Sequence, residues 1–245
     1  MRRTFCTFVG YYPFFCLWLC RISIYSIPLQ KRAERCLEDE VTGGSGSTRE
    51  LERLIFFSDA VFAIVITILV LDIQVPTIPS GAVSQELPAQ LVALEPKFFS
   101  YVLSFLVVAL YWQAHHEVFR PIISYDRTLV WMNFLFLLTL SFLPFPTSLL
   151  GEYAQEQISV VLYAADTALA SLILTTISWY AARGHRLVSP DFDDAQARLE
   201  RAQGLVVSVV FLLSIGVSFY SPNVATYTWL LLVVSDRIVQ WIWSR

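Results

Sequence analysis

From residue 51 onward, apolar residues fall into six long blocks, at about 54–74, 98–119, 129–150, 157–182, 203–220 and 224–243. About 20 apolar residues carry a helix across a bilayer, and each block is near that length. A helix is also the only open-chain structure that satisfies every backbone N–H and C=O in lipid. The connections are short except 183–202, where Pro190-Asp191-Phe192-Asp193-Asp194 opens an amphipathic run through Ala195 to Arg201. The pattern therefore predicts an all-α membrane protein with six transmembrane helices in a 51–245 domain.

The first block departs from a plain span at its start. Twelve residues separate Asp59 from Asp72, and among them only Thr67 is polar. Just ahead sit Arg53, Ser58 and Asp59. A carboxylate at membrane depth is costly to keep, so Asp59 marks a functional site with a partner to be found.

Residues 1–50 read as an N-terminal extension outside that domain, hydrophobic first and then a flexible linker. Phe5 to Ile27 is apolar and aromatic, broken by Arg21, and a polar run from Gln30 to Glu50 contains Gly43-Gly44-Ser45-Gly46-Ser47. Arg2-Arg3 ahead of an apolar run fits a signal peptide, although no small-residue cleavage site follows. An extra span, an interfacial anchor and a segment that adds nothing to the core fit as well.

Composition supports the membrane reading. The 245 residues are 56% hydrophobic and only 15% charged, against about a quarter charged in soluble domains; the mean hydropathy is +0.58. A net charge of −3 with scattered bases gives no nucleic-acid surface. Cys6, Cys16, Cys20 and Cys36 all precede residue 37 without a CxxC, which forms neither a metal pattern nor a disulfide frame for the core.

Basic residues orient the spans. With the flank of the first span in the cytosol, the inner segments hold thirteen bases, namely Lys31, Arg32, Arg35, Arg49, Arg53, Arg120, Arg127, Arg183, Arg186, Arg198, Arg201, Arg237 and Arg245, while the outer loops hold Lys97 alone. That asymmetry matches the positive-inside rule for six spans with both ends of the domain cytosolic. A seventh span at 5–27 would place Arg2 and Arg3 outside.

Catalysis finds little support. Asp59 and Asp72 lie about 20 Å apart along one helix, too far to form a carboxylate dyad. His115-His116-Glu117 are adjacent residues pointing about 100° apart, without the i, i+4 spacing that zinc ligation from one helix requires. No nucleophile elbow, phosphate loop or dinucleotide fingerprint occurs, so the chain reads as a non-enzyme without metal or cofactor. An ion-coupled secondary transporter is the alternative, with Asp59 and Asp166 as its intramembrane carboxylates. Such transporters show broken helices and inverted repeats; here Pro144, Pro146 and Gly216 are the few breakers, and the halves do not resemble each other. Asp166 also reads as a polar contact between helices.

A pore is the remaining reading of the first block. Ile64, Ile68 and Leu71 recur at four and three residues and share a face, with Thr67 beside them. If copies meet at an axis, that face stacks rings of aliphatic side chains that close a channel by dewetting. Ordinary apolar helices carry the same spacing.

The residues then reach a known family. Arg53-x-x-x-Phe57-Ser58-Asp59 followed by Ala-Val-Phe-Ala-Ile resembles the signature of the transmembrane protein 175 potassium channels. Leu103-Ser104-Phe105 with Tyr111-Trp112-Gln113-Ala114-His115-His116 is similar to the family's second span. Trp131-Met132-Asn133 and Leu143-Pro144-Phe145-Pro146-Thr147 are similar to its third. The resemblance covers about 51–243. It implies a potassium-permeable channel without a P-loop filter, homotetrameric because one six-helix repeat is present, with the first helix lining a central pore. It implies a hydrophobic gate at Ile64, further rings at Ile68 and Leu71, and Thr67 as the polar pore-lining position. It further implies that Arg53, Phe57, Ser58 and Asp59 form a signature network for assembly, in which Asp59 takes Arg53 and Ser58 locally and reaches His115, His116 or Asn133 on neighbouring helices. The permeant ion would be K⁺ and the partners a lipid bilayer and three further copies. The membrane would be the cell membrane in a prokaryote and the endosome or lysosome membrane in a eukaryote.

Overall fold

The computed structural model describes residues 46–79, 81–190, 192 and 194–229. Two compact units divide the chain, Met1–Arg49 and Glu50–Arg245, and only the second is described at length. The cysteines, nearly all of the N-terminal extension, and the sixth block beyond residue 229 with Arg237 lie outside the described residues.

All regular elements in the described residues are helical. They are α1 (Gly46–Ile68), prolonged by a 3₁₀ turn (Leu69–Asp72), α2 (Val83–Ala93), α3 (Glu95–Phe119), α4 (Arg127–Phe142), α5 (Pro144–Glu152), α6 (Gln157–Ala182), a 3₁₀ turn (Arg183–His185), α7 (Asp194–Ser218) and α8 (Pro222–Thr228). Five stretches are long and apolar enough to cross a membrane: Arg49–Asp72, Glu95–Phe119, Arg127–Glu152, Gln157–His185 and Ala197–Ser218. α8 begins the sixth block.

Three elements differ from what periodicity predicts, each for a local reason. The third block is two helices, because Pro144 has no N–H to give back to Leu140 and its ring fits the first turn of a new helix. The amphipathic run after Asp194 and the fifth block are one continuous helix, α7; no residue between them breaks the backbone. The outer connection between the first two spans contains α2, whose apolar positions are too few to signal a helix and which has no buried residue.

α6 is the most buried span and packs most closely on α7. Glycine sets that approach: a Cβ at Gly204 would collide with the Thr175 hydroxyl, and the Gly204 carbonyl accepts a 2.9 Å bond from Ser171. Two turns earlier on α6, Tyr163 lies in a polar seam, with its hydroxyl 3.1 Å from Ser104, itself 2.8 Å from Thr147.

The loops at the far end of α3 and α6 are tied together. Ile122 and Val188 form an isolated antiparallel bridge, with Ile123 N–H donating to Leu187 O and Ser189 N–H to Pro121 O, both at 2.9 Å. Asp126 caps α4 through the Leu129 amide at 2.8 Å and accepts from the Tyr180 hydroxyl at 2.6 Å and the Arg186 guanidinium at 2.9 Å. Burial pushes the Asp126 carboxyl up, but these hydrogen bonds and the Arg186 charge outweigh it and hold the group below its ordinary value. The tie is therefore at full strength near neutral pH and weakens only where acid protonates the carboxylate.

Candidate functional site: the exposed face of the first helix and its polar anchor

α1 has two contrasting faces. Leu51, Leu54, Ser58, Phe62, Val65 and Leu69, spaced by three and four residues, are buried against the rest of the chain. On the other side Ile64 is 56% exposed, Ile68 43% and Leu71 72%. Thr67 lies on this exposed side, and its hydroxyl approaches the Ala63 and Ile64 carbonyls at 3.1 and 2.8 Å. Its one proton is thereby spent on its own helix, so the side chain presents oxygen lone pairs outward. A water-facing or cation-facing surface could use such an acceptor, whereas lipid could not.

The 3₁₀ turn shapes the outer end of this face. At three residues per turn, Leu71 stays aligned with Ile68 and Asp72 falls in line with buried Leu69. Asp72 is thereby turned from the Ile64–Ile68–Leu71 stripe and lies within electrostatic reach of Lys97, which pairs with Glu152 at 2.6 Å.

The signature residues separate into three groups. In the first, the Ser58 hydroxyl donates to Leu54 O at 3.0 Å and accepts from the Asn133 side-chain amide at 2.9 Å. With its amide given to Ser58, Asn133 turns its oxygen to His115 Nε2, 3.0 Å away. His115 must therefore donate from Nε2, and its buried Nδ1 has no partner among the described residues. Its fully buried ring stacks between Phe119, at 4.3 Å, and Phe136, at 5.7 Å, with the edge of Phe62 at 5.6 Å. This anchor joins α1, α3 and α4.

In the second group, Asp59 accepts from Trp112 Nε1 at 2.9 Å, and the Trp112 ring lies 5.2 Å from His116. Phe57 packs edge-on to Phe134 at 5.9 Å. Arg53 stands apart, 78% exposed at its side chain and 3.4 Å from Glu50. The sequence reading that gave Asp59 its arginine locally is corrected here. Six residues of helix separate Arg53 from Asp59 by about 9 Å along the axis and about 120° around it. The direct hydrogen bond into the Asn133–His115 pair comes from Ser58, while Asp59, one residue on, bonds to Trp112 and reaches His115 through its charge alone. Trp112 stood in the quoted second-span motif, and an indole N–H four residues before a histidine was the signal that could have identified it.

Asp166, 8% exposed on α6, makes no hydrogen bond among the described residues and acts electrostatically on Tyr111 and Tyr163. Tyr111 and Trp112 project about 100° apart from α3, so Asp166 and Asp59 address different sides of that helix. No group of three or more metal-ligating side chains occurs among the described residues.

Residues 53–144 match the family described as endosomal/lysosomal potassium channel TMEM175. A potassium channel of Streptomyces collinus is 34% identical, over 70% of this chain and 84% of the relative. An endosomal/lysosomal proton channel TMEM175 of Danio rerio is 29% identical over 62% of this chain, which spans 30% of that longer relative. The crystal structure of a lysosomal potassium-selective channel TMEM175 homolog from Chamaesiphon minutus superposes with a TM-score of 0.67 at 26% identity, covering 78% of this chain and 97% of the homolog.

Proposed function

Because this chain belongs to the TMEM175 family of ion channels, which are not enzymes, we propose that it forms a potassium-permeable cation channel, a homotetramer of six-span protomers whose first helices line one central pore. The observation that carries this reading is the two-faced α1. Its polar anchor and one apolar stripe are buried in the protomer, and an equally apolar stripe, Ile64, Ile68 and Leu71, is left uncovered. Four copies arranged about an axis bring those positions into stacked rings.

Each ring acts by what it withholds. Four Ile64 side chains offer a dehydrating ion no oxygen in exchange for its water, so a narrow ring empties of water and closes. Thr67, one turn outward, offers the acceptor oxygens that Ile64 lacks. The outward turn of Asp72 toward Lys97 leaves these two chemistries as the main features of the pore face. The Ser58–Asn133–His115 anchor fixes the rotation of α1 and so decides which residues face the axis.

The coupled-transporter alternative is less well supported. Its two carboxylates would have to share a path, yet Asp59 is committed to Trp112 and Asp166 lies on another side of α3.

Flux in liposomes tests the proposal. Purified protein is expected to pass K⁺ down its gradient without a co-transported ion, and to run at the mass of four chains. Flux that requires a proton gradient, or a stable monomer that conducts, overturns it. Topology is checked separately: tags after Thr77 and after Glu152 should report outside, and a tag near Asp194 inside. A tag near Asp194 found outside ends the six-span arrangement.

A further inference from the structure

The outward stripe of α6 has an ordered composition. Leu169, Leu172 and Thr176 are followed on the same face by Trp179, 52% exposed, and then by Arg183 at the helix end. Trp belongs at the boundary between hydrocarbon and headgroups, and arginine just beyond it lies at headgroup depth. The Arg183 guanidinium sits 5.2 Å above the Trp179 ring. Among the described residues it has no carboxylate partner.

Its neighbour Arg186 does the opposite job. The chain reverses at Gly184, whose φ of +69° suits a residue without Cβ, and Arg186 turns inward to Asp126 and Tyr180. Asp126 is thereby occupied, and Asp194 is 3.3 Å from His185. Asp126 and Asp194 are thus engaged elsewhere, and Arg183 remains exposed beside Trp179.

We propose that Trp179 and Arg183 form a docking point for the phosphate of an anionic phospholipid in the cytoplasmic leaflet. Stacking on the indole covers one face of the guanidinium and leaves its in-plane N–H edge open, the edge that takes two phosphate oxygens at once. The anionic inner leaflet supplies the complementary charge. The proposal rests on the orientation given above, with the end of α6 in the cytosol. The tag near Asp194 decides that orientation independently of lipid binding.

The test is native mass spectrometry of the full-length protein in detergent, titrated with phosphatidylglycerol and, separately, phosphatidylcholine. Phosphatidylglycerol should be retained preferentially. Arg183→Gln should weaken it about fivefold, the effect of one interfacial basic residue. Arg183→Lys, which keeps the charge and the fold but loses the planar fork, should also bind more weakly than the unsubstituted protein. Arg198→Gln, an exposed arginine on α7, should leave binding unchanged. The proposal is overturned by equal retention of both lipids, by Arg183→Lys binding as well as arginine, or by an equal loss with Arg198→Gln. It is also overturned if millimolar glycerol phosphate displaces the lipid, since the site would then read a free anion.

Discussion

Substituting Ile64 with asparagine is expected to raise resting K⁺ conductance by about tenfold or more, equivalent to taking about 1.4 kcal/mol off the barrier to ion passage. In the proposed tetramer the barrier at a ring of four isoleucines would come from the absence of any group to replace water, so polarity at this position should matter more than size. Ile64→Ser should act in the same direction and Ile64→Leu should change little. Ion discrimination should fall together with the barrier. Thr67→Val separates the two effects: it removes the outward oxygen at nearly constant volume and should reduce discrimination with less effect on closure. Single-channel recording in planar bilayers reads both quantities, and each variant must first be shown to assemble, since an assembly defect also lowers current.

The second large effect is expected at the anchor. Asn133→Leu removes the acceptor of the His115 Nε2–H bond and the donor to Ser58. Leaving a buried polar group unpaired costs about 1–3 kcal/mol each, a large part of the roughly 5–15 kcal/mol that holds a domain together. Loss of the folded tetramer in size-exclusion chromatography is the expected result. Adding His115→Phe should restore much of it, because the ring stack between Phe119 and Phe136 is kept and the stranded N–H is gone. Ser58 still satisfies its own proton on Leu54. If the double variant is as poor as Asn133→Leu, the stability of this region comes from something other than the hydrogen-bonded chain.

The spans were readable because lipid leaves the backbone only helices, and because block length alone marks a crossing. The family was readable because Arg53-x-x-x-Phe57-Ser58-Asp59 is a short, unusual combination at the start of an apolar run. Helix joins were not readable. Nothing apolar or polar in the pattern distinguishes α7 running straight from Asp194 to Ser218 from a surface helix followed by a span. The partners of the signature also escaped, for a geometric reason. Charge invites Arg53 to be paired with Asp59, whereas the helix repeat sets them on different sides, and only the folded chain brings Asn133 to Ser58 over 75 positions. The apolar periodicity of α1 shows that Ile64, Ile68 and Leu71 share a face; it cannot show that the protomer leaves that face bare. That distinction needed the packing of α3 and α4 against the opposite stripe.

The most direct measurement of the central claim is thiol accessibility under current. In a background with Cys6, Cys16, Cys20 and Cys36 replaced, Leu71→Cys sits at the outer end of the exposed stripe and Leu169→Cys on the outward face of α6. A charged, membrane-impermeant methanethiosulfonate reagent applied from outside should block K⁺ current through Leu71→Cys, and K⁺ at high concentration should slow the block. Leu169→Cys current should be unaffected. Block at Leu169→Cys, with current through Leu71→Cys unchanged although its thiol is shown to be modified, would place the conduction path away from the first helix.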